Sequence, residues 1–473
     1  ADRQVCAGDI MIKMSISQAA KQIHASVVGD DVMFSSVSTD TRKISKGDLF
    51  IALQGENFDG HDYVGQAREK GAVAAMVNRS LAEGIPQIVV EDTRLGLGRL
   101  ASVWRRQINP KVVALTGSNG KTTLKEMLAA IISEQHDVLA TLGNLNNDIG
   151  VPLTLLRLQR EEVAIVEMGA NHLGEIDYLS RMAIPDIAIL NNAGLAHIGE
   201  FGSEENIARG KAEILHGLQA NGTFVYNSDS KWSGMWEELS QLYNRVGFGT
   251  GLHADYRGNL DDYRMSWTER GYQAEFSVHE KKSAQQYDIR LSLAGLHNCM
   301  NALAAVAAAR QLGMDVTSIQ QGLARLKPVA GRLNPLAGDG GQLVIDDSYN
   351  ANPDSVVAAV DVLVTAPGKK IFVLGDLAEL GESSMQMHAD LGETAFSRGV
   401  DMLYTCGSVS KAASDRFAGN SMHFESREKL IQTLQKETGE NDYILVKGSR
   451  SAAMDQVVAA LTLNNKKALQ GDG

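Results

Sequence analysis

Apolar residues fall into two rhythms along the chain. Short unbroken runs predict buried strands, and longer stretches at helical spacing separate them. Near the start, Leu49-Phe50-Ile51-Ala52-Leu53 and Gln87-Ile88-Val89-Val90 predict strands. Helices are predicted from Tyr63 to Lys70 and from Leu95 to Gln107, the second opened by Asp92-Thr93. Further on, Val112 to Leu115, Val163 to Val166, Ile187 to Leu190 and Thr223 to Tyr226 predict buried strands. Their alternation with helical patterns predicts a mostly parallel sheet covered by helices. From Tyr272 to Val278 and Ile289 to Leu293 the period drops to two, which predicts a small antiparallel sheet. Asn301 to Leu312 reads as an alanine-rich helix. Leu343 to Ile345, Ile371 to Leu374, Met402 to Tyr404 and Tyr443 to Val446 then outline a second, Rossmann-like α/β unit.

Asn109-Pro110 and Lys327-Pro328-Val329-Ala330-Gly331 interrupt these patterns. The expectation is an α/β protein of three domains. A small N-terminal α/β domain covers 12–109, a central phosphate-loop domain with a mostly parallel sheet covers 110–330, and a C-terminal Rossmann-like domain covers 331–473. A length of 473 residues agrees with three units of about 150 residues each. No internal repeat or low-complexity tract is visible.

Composition narrows the function classes. Hydrophobic residues are 44% and charged residues 22%, ordinary for a soluble globular protein. A net charge of −12 argues against a general nucleic-acid binder, although a loop or a metal can still neutralise a phosphate ligand locally. Cys6, Cys299 and Cys406 lie far apart and form no framework, so a reduced, cytoplasmic setting is expected. No signal peptide or bilayer-length apolar run is present, so no membrane insertion is expected. Residues up to about Ile10 show no pattern and read as an appended or frayed end.

The densest chemistry follows the strand Val112 to Leu115. Gly117 and Gly120 bracket a tight loop, Thr116-Gly117-Ser118-Asn119-Gly120, that leads into Lys121-Thr122-Thr123 at a helix start. Such a loop aims backbone N–H groups at one point, and the helix N-terminus adds partial positive charge. Lys121 is placed to reach a terminal phosphate and Thr122 to hold Mg²⁺. Leu115 stands where the standard loop has its first glycine.

Polar residues also collect at the carboxyl ends of strands, where ligands bind in open parallel sheets. Glu167 ends one strand; Asn191 and Asn192 end the next, with His197 close after. Beside a phosphate loop, Glu167 and His197 read as metal ligands. Lys211, on a helical stretch with Ile207 and Ile214, reads by itself as a solvated surface charge. Asn298 and Asn301 share a helix face and suit either a cap or a bound base. The cluster Asp346-Asp347-Ser348-Tyr349-Asn350-Ala351-Asn352-Pro353 suits a capped turn or a site. Ser38 to Arg42 and Asn57 to His61 read as solvated polar turns.

Together these residues resemble the Mur ligases of peptidoglycan synthesis and the related folylpolyglutamate synthases. Thr116 to Thr122 looks like that family's shortened phosphate loop. Gly143-Asn144-Leu145-Asn146-Asn147-Asp148-Ile149-Gly150-Val151-Pro152, Asp347 to Pro353, Gly375-Asp376-Leu377-Ala378-Glu379-Leu380-Gly381 and Lys447-Gly448-Ser449-Arg450 resemble the member acting on D-alanyl-D-alanine. The Asp-Asn-Pro-Arg motif of the sister ligase that adds the third amino acid is absent. The resemblance covers about Ile16 to Leu461.

That resemblance implies an ATP-dependent amide ligase. It would join D-alanyl-D-alanine to a UDP-N-acetylmuramoyl tripeptide through an acyl phosphate. It implies that Gly117, Ser118, Asn119, Gly120, Lys121, Thr122 and Thr123 hold ATP phosphates, with Asn298 and Asn301 at the adenine. Arg332 and Asp347 would meet the nucleotide from the last domain. Thr122, Glu167, His197 and a carbamylated Lys211 would serve two Mg²⁺ sites, and Lys121, Lys211, Glu167 and His197 would form the catalytic set. Thr41, Arg42, Asn144, Asn146, Asn147, Asp148 and Asn350 would touch the substrates. A monomer is expected. Two rivals stay open: another amide ligase of the family, and a nucleotide-dependent switch without ligase chemistry.

Overall fold

Three large sheets and a two-stranded antiparallel pair, Met14–Ser15 with Met33–Phe34, carry the described residues, and the long helix Thr93–Ile108 joins the first two large sheets. The computed structural model describes residues 12, 14–195, 198–268 and 271–468. The first sheet has five strands in the order Ser26–Val28, Gln87–Val89, Ala74–Val77, Asp48–Ile51, Ser36–Ser38. All pairings are parallel except the one at the Ser26–Val28 edge. The polar loop before Tyr63 is more than a solvated turn. His61 is buried, and its Nε2 accepts the Asn78 N–H.

Helix Thr93–Ile108 starts two residues before the apolar pattern does, because the Asp92 carboxylate accepts the N–H groups of Arg94 and Leu95. Leu97, Leu100, Ala101 and Trp104 form its buried face. They belong to one apolar core that continues from Ile16 and Leu49 of the first unit to Val112 and Val166 of the second. The Trp104 indole donates to the Leu158 carbonyl at 2.8 Å, so its polar atom is satisfied inside that core.

The central sheet has nine strands in the order Gln285–Leu291, Gly271–Glu280, Tyr256–Thr268, Asn244–Gly249, Thr223–Asn227, Ile187–Leu190, Lys111–Thr116, Val163–Glu167, Val138–Ala140. The period-two strands do not form a sheet of their own. Tyr256 pairs in parallel with Phe248 before the strand turns into an antiparallel hairpin, so the hairpin extends the parallel sheet. Helix Leu296–Gln311 covers this sheet and begins five residues before the expected start. Its alanines 302, 304, 305, 307, 308 and 309 are buried, and small side chains let it lie close against its neighbours.

The third sheet has six strands in the order Asn334–Ala337, Leu343–Asp347, Asp442–Lys447, Lys369–Gly375, Met402–Cys406, Asn420–Phe424. Only the first strand is antiparallel. Inserting the last strand between the second and fourth of that order opens a crevice beyond Asp347, Lys447 and Gly375. The central hairpin reaches into this unit. Trp267 packs edge-on against Tyr443 with ring centres 5.0 Å apart and donates to the Thr365 carbonyl, and Tyr272 donates to the Leu333 carbonyl.

Cys299 and Cys406 are buried free thiols, and Cys6 lies outside the described residues. Among the described residues no helix is long and apolar enough to cross a membrane. The shared core yields a stability expectation. Trp104→Ala should cost on the order of 3–5 kcal/mol through lost burial and the cavity left behind. Urea unfolding measures it, and a midpoint equal to that of the native sequence would contradict the shared core.

Candidate functional site

The strand Lys111–Thr116 ends in the loop 117–120, and helix Lys121–Ile132 begins at once. Gly120 has φ +78°, and a Cβ there would stand 2.4 Å from the Asn301 side chain, so only glycine fits. The Lys121 ammonium folds back onto the Gly117 carbonyl at 2.7 Å. Burial lowers its pKa and the charge of Glu167 opposes that shift.

Glu167, at the end of its strand, is only 1% exposed. Its Oε2 accepts the Thr122 hydroxyl at 3.0 Å, and its Oε1 accepts the Asn146 amide at 2.9 Å. From the third unit, Arg332 Nη2 donates to the same Thr122 oxygen at 3.0 Å. The Arg332 guanidinium lies over the Tyr349 ring, 4.5 Å from its centre. Asn352 donates to the Asn119 side-chain oxygen at 2.7 Å, and Asp354 accepts the Leu195 N–H at 3.1 Å. The third unit is therefore closed onto the phosphate loop.

Neither Asn298 nor Asn301 caps its helix. Both are buried in the first turns, and Asn301 donates to Asn298 at 3.1 Å while accepting from Asn191 at 2.7 Å. This ladder runs from the strand end under Gly120 towards the third unit. Next to it, burial pushes His297 down to about 4, so its imidazole is neutral. Asp347 and Lys447 form a buried ion pair at 2.6 Å, and Lys447 also donates to the Asn350 carbonyl. Burial raises the Asp347 pKa against the pull of Lys447.

Lys211 is not the solvated charge that its helix suggests. It is 1% exposed in helix Glu204–Ala212, 5.8 Å from the centre of the Phe201 ring. Its ammonium makes no hydrogen bond or ion pair with another of the described residues. Burial, and then the charge of Lys121, hold its pKa well below the ordinary lysine value.

Apart from Gly117 and the buried Lys211, which are not on its wall, these groups line one cavity of about 990 Å³. Its wall includes Ser118 to Thr123, Asn144, Asn146, Asn147, Asp148, Glu167, Asn298, Asn301, Arg332, Asp347 and Asn350. Asn147 also caps the following turn by accepting the Gly150 N–H at 2.9 Å. A smaller cavity of about 410 Å³ adjoins it, lined by Asn350, Asn352, Glu379, Ser449 and Arg450 among others. Two expected substrate contacts lie elsewhere. Thr41 and Arg42 belong to the 3-10 turn Thr41–Lys43, outside the lining of both cavities, and Arg42 pairs with Asp40 on the surface. His197 lies outside the described residues.

Among the described residues no three His, Cys, Asp or Glu side chains converge as a metal cage. The hydroxyl of Thr122 and the carboxylate of Glu167 are hard oxygen donors. They suit Mg²⁺, which takes one or two protein oxygens beside substrate phosphates. Sequence reasoning missed Arg94, Tyr178, His297 and Asp354 on the large cavity. Asp354, directly after Asn352-Pro353, and His297, directly before Asn298, had a nearby signal.

Comparison with known proteins bears on the whole chain. Residues 34–136 match the Mur ligase family catalytic domain, 115–309 the Mur ligase middle domain, and 331–450 the Mur ligase glutamate ligase domain. The chain is 42% identical to the UDP-N-acetylmuramoyl-tripeptide–D-alanyl-D-alanine ligase of Escherichia coli, covering 96% of this chain and 99% of the relative. MurF from Acinetobacter baumannii superposes with a TM-score of 0.88 at 36% identity, over 95% of this chain and 99% of that one. The Thermotoga maritima MurF ligase, solved in complex with ADP, does so with a TM-score of 0.80 at 29% identity, over 92% and 98%.

The burial of Lys211 has a measurable consequence. Between its lowered pKa and about 10.4, the unfolded chain holds a proton that the folded chain does not. Its contribution to stability therefore rises with pH across that window. In CO₂-depleted buffer, Lys211→Met removes this slope, so the variant's lead in urea midpoint should shrink as pH rises. A difference independent of pH would contradict the burial.

Proposed function

The chain belongs to the Mur ligase family, and from that premise we propose that it joins D-alanyl-D-alanine to a UDP-N-acetylmuramoyl tripeptide. ATP goes to ADP and phosphate. The observation that carries this is the cavity where the phosphate loop, Glu167 and the third unit's Arg332 meet around Thr122. In the proposed division of labour, 12–109 holds the UDP end of the precursor, 110–330 holds ATP, and 331–473 brings the amine. The ADP-bound Thermotoga maritima relative supports ATP as the nucleotide.

A carboxylate and an ammonium do not condense in water without help. The precursor's terminal carboxylate oxygen attacks the γ-phosphorus, and ADP leaves. The acyl carbon is then attacked by the deprotonated amine of the dipeptide, and phosphate leaves as the amide forms. Both anions in the first step repel, so the site supplies cations. Lys121 turns from the Gly117 carbonyl towards the phosphates, and Arg332 faces them from the third unit. Thr122, Glu167, His197 and Lys211 would hold two Mg²⁺, which neutralise phosphate charge when bound. A closed third unit keeps water from the acyl phosphate.

Lys211 is proposed to be carbamylated. A neutral amine adds CO₂, and burial favours the neutral amine. The product is an anion suited to a metal. Asn298 and Asn301 are proposed to face the adenine, with the neutral His297 beside them. The substrate contacts are assigned to Asn144, Asn146, Asn147, Asp148 and Asn350. Thr41 and Arg42 remain assigned to the UDP end, away from the large cavity.

Phosphate release measured with ATP, Mg²⁺, the tripeptide precursor and D-alanyl-D-alanine should require all four. Lys121→Ala should lower it by about 100-fold or more with the circular dichroism spectrum unchanged. Release that ignores the precursor, or full turnover in the folded variant, would overturn the ligase reading. For Lys211, labelled bicarbonate should give a carbamate carbon signal that Lys211→Ala lacks. An identical spectrum from both proteins would remove the carbamate.

A further inference from the structure

One of the largest fully buried side chains has no part in the reaction above. Lys125, in the second turn of helix Lys121–Ile132, is 1% exposed and lies outside the lining of both cavities. A buried ammonium is costly unless it is paired and bonded. Lys125 Nζ donates to the Thr141 carbonyl at 2.7 Å and stands 2.9 Å from Glu126 Oε1. An unbranched apolar side chain would fill similar space without the desolvation. What the ammonium adds is its bond to Thr141.

Thr141 is where an edge strand leaves the central sheet. Val138–Ala140 pairs in parallel with Val163–Glu167, as far as Ala140 opposite Ile165. One further rung follows, from the Thr141 N–H to the Ile165 carbonyl at 3.0 Å. In a continuing parallel ladder the next bond would run from the Glu167 N–H to the Thr141 carbonyl. Here that carbonyl is turned to Lys125, and the Thr141 hydroxyl accepts the Glu167 N–H instead, at 3.0 Å. The hydroxyl's own hydrogen goes to the Ile165 carbonyl at 3.4 Å. The chain then leaves the sheet and crosses the site. Further along it, the Asn146 amide reaches Glu167 Oε1, and the Asn146 carbonyl accepts the Gly169 N–H at 2.8 Å. One loop therefore holds Glu167 by its backbone and by its carboxylate, and Lys125 holds the root of that loop.

Resting on the ligase reading and its Mg²⁺ at Thr122 and Glu167, we infer that Lys125 is a positioning residue for the Glu167 carboxylate. Its bond keeps the Thr141 carbonyl out of the ladder. The hydroxyl then takes the Glu167 N–H, and the loop runs over the strand end to deliver Asn146. Without the ammonium the carbonyl is free to return to the ladder, which lengthens the strand and shortens the loop. Asn146 then draws away from Glu167 Oε1, and the carboxylate loses the contact that aims its Oε2 at Thr122. Groups that orient a metal ligand set metal affinity in this way without touching the metal.

The test measures ADP binding to the full chain by calorimetry, with Mg²⁺ and in EDTA. The native sequence should bind ADP more tightly with Mg²⁺. In Lys125→Met that gain should fall about 10-fold, while ADP affinity in EDTA stays within about twofold of native. Thr141→Val should lose the same gain and Thr141→Ser should keep it, and this pair carries the test if Lys125→Met does not fold. Lys125→Met combined with Thr141→Val should lose no more than the larger single loss, because both act through one linkage. An undiminished gain in folded Lys125→Met, or in Thr141→Val, would overturn the inference. So would ADP binding weakened equally with and without Mg²⁺, which is what a purely structural role produces. Either result leaves the ligase reading standing. A native sequence whose ADP affinity ignores Mg²⁺ would overturn the Mg²⁺ reading of Glu167 and the inference with it.

Discussion

A single hydroxyl holds the site together. Thr122 donates to Glu167 and accepts from Arg332, so a helix start, a strand end and the third unit meet at one oxygen. The constraint behind it is the burial of Glu167. A carboxylate 1% exposed is costly unless its oxygens are bonded. Thr122 and Asn146 bond it without neutralising it, and the positive charge comes from Lys121 and Arg332 nearby. The result is an anion ringed by cations, suited to a metal and to polyphosphate. Asn352 on Asn119 and Asp354 on Leu195 add to the closure, and all three contacts must break for the third unit to open.

The rest of the fold keeps these groups in place. The strands Lys111–Thr116, Val163–Glu167 and Ile187–Leu190 are adjacent and parallel, which sets the loop, Glu167 and Asn191 at one edge. Helix Thr93–Ile108 binds this sheet to the first one through Trp104 and its neighbours. The hairpin of Tyr256–Thr268 and Gly271–Glu280 reaches the third unit through Trp267 and Tyr272. Two apolar connections therefore carry the alignment that the polar site needs.

The sequence made the buried parallel strands legible, because residues such as Val112 to Leu115 and Ile371 to Leu374 are apolar on both faces. The phosphate loop was legible because its glycines and Lys121 have few other uses in that order. The short strands Ser26–Val28 and Ser36–Ser38 were not legible, being half-exposed and only three residues long. Ala74–Val77 was hidden by its two alanines, which favour helices. The hairpin read as a separate sheet because period two reports a solvated face and says nothing of which strand lies alongside. Lys211 was the clearest failure of local reasoning. Glu204, Glu205 and Arg209 mark its helix as exposed, and only tertiary packing seals the face that carries the lysine. Arg94 had no signal, since an arginine early in an amphipathic helix is ordinary. Thr41 and Arg42 came from resemblance alone, and the fold leaves them apart from the large cavity.

The central claim is that the cations around Thr122 serve transfer of phosphate to the precursor's own carboxylate. A precursor carrying heavy oxygen in its terminal carboxylate tests it directly. The enzyme turns this over with ATP, Mg²⁺ and D-alanyl-D-alanine, and the released phosphate is analysed by mass spectrometry. An acyl phosphate that breaks at the acyl carbon leaves one labelled oxygen in each phosphate. Released phosphate free of label would contradict the account.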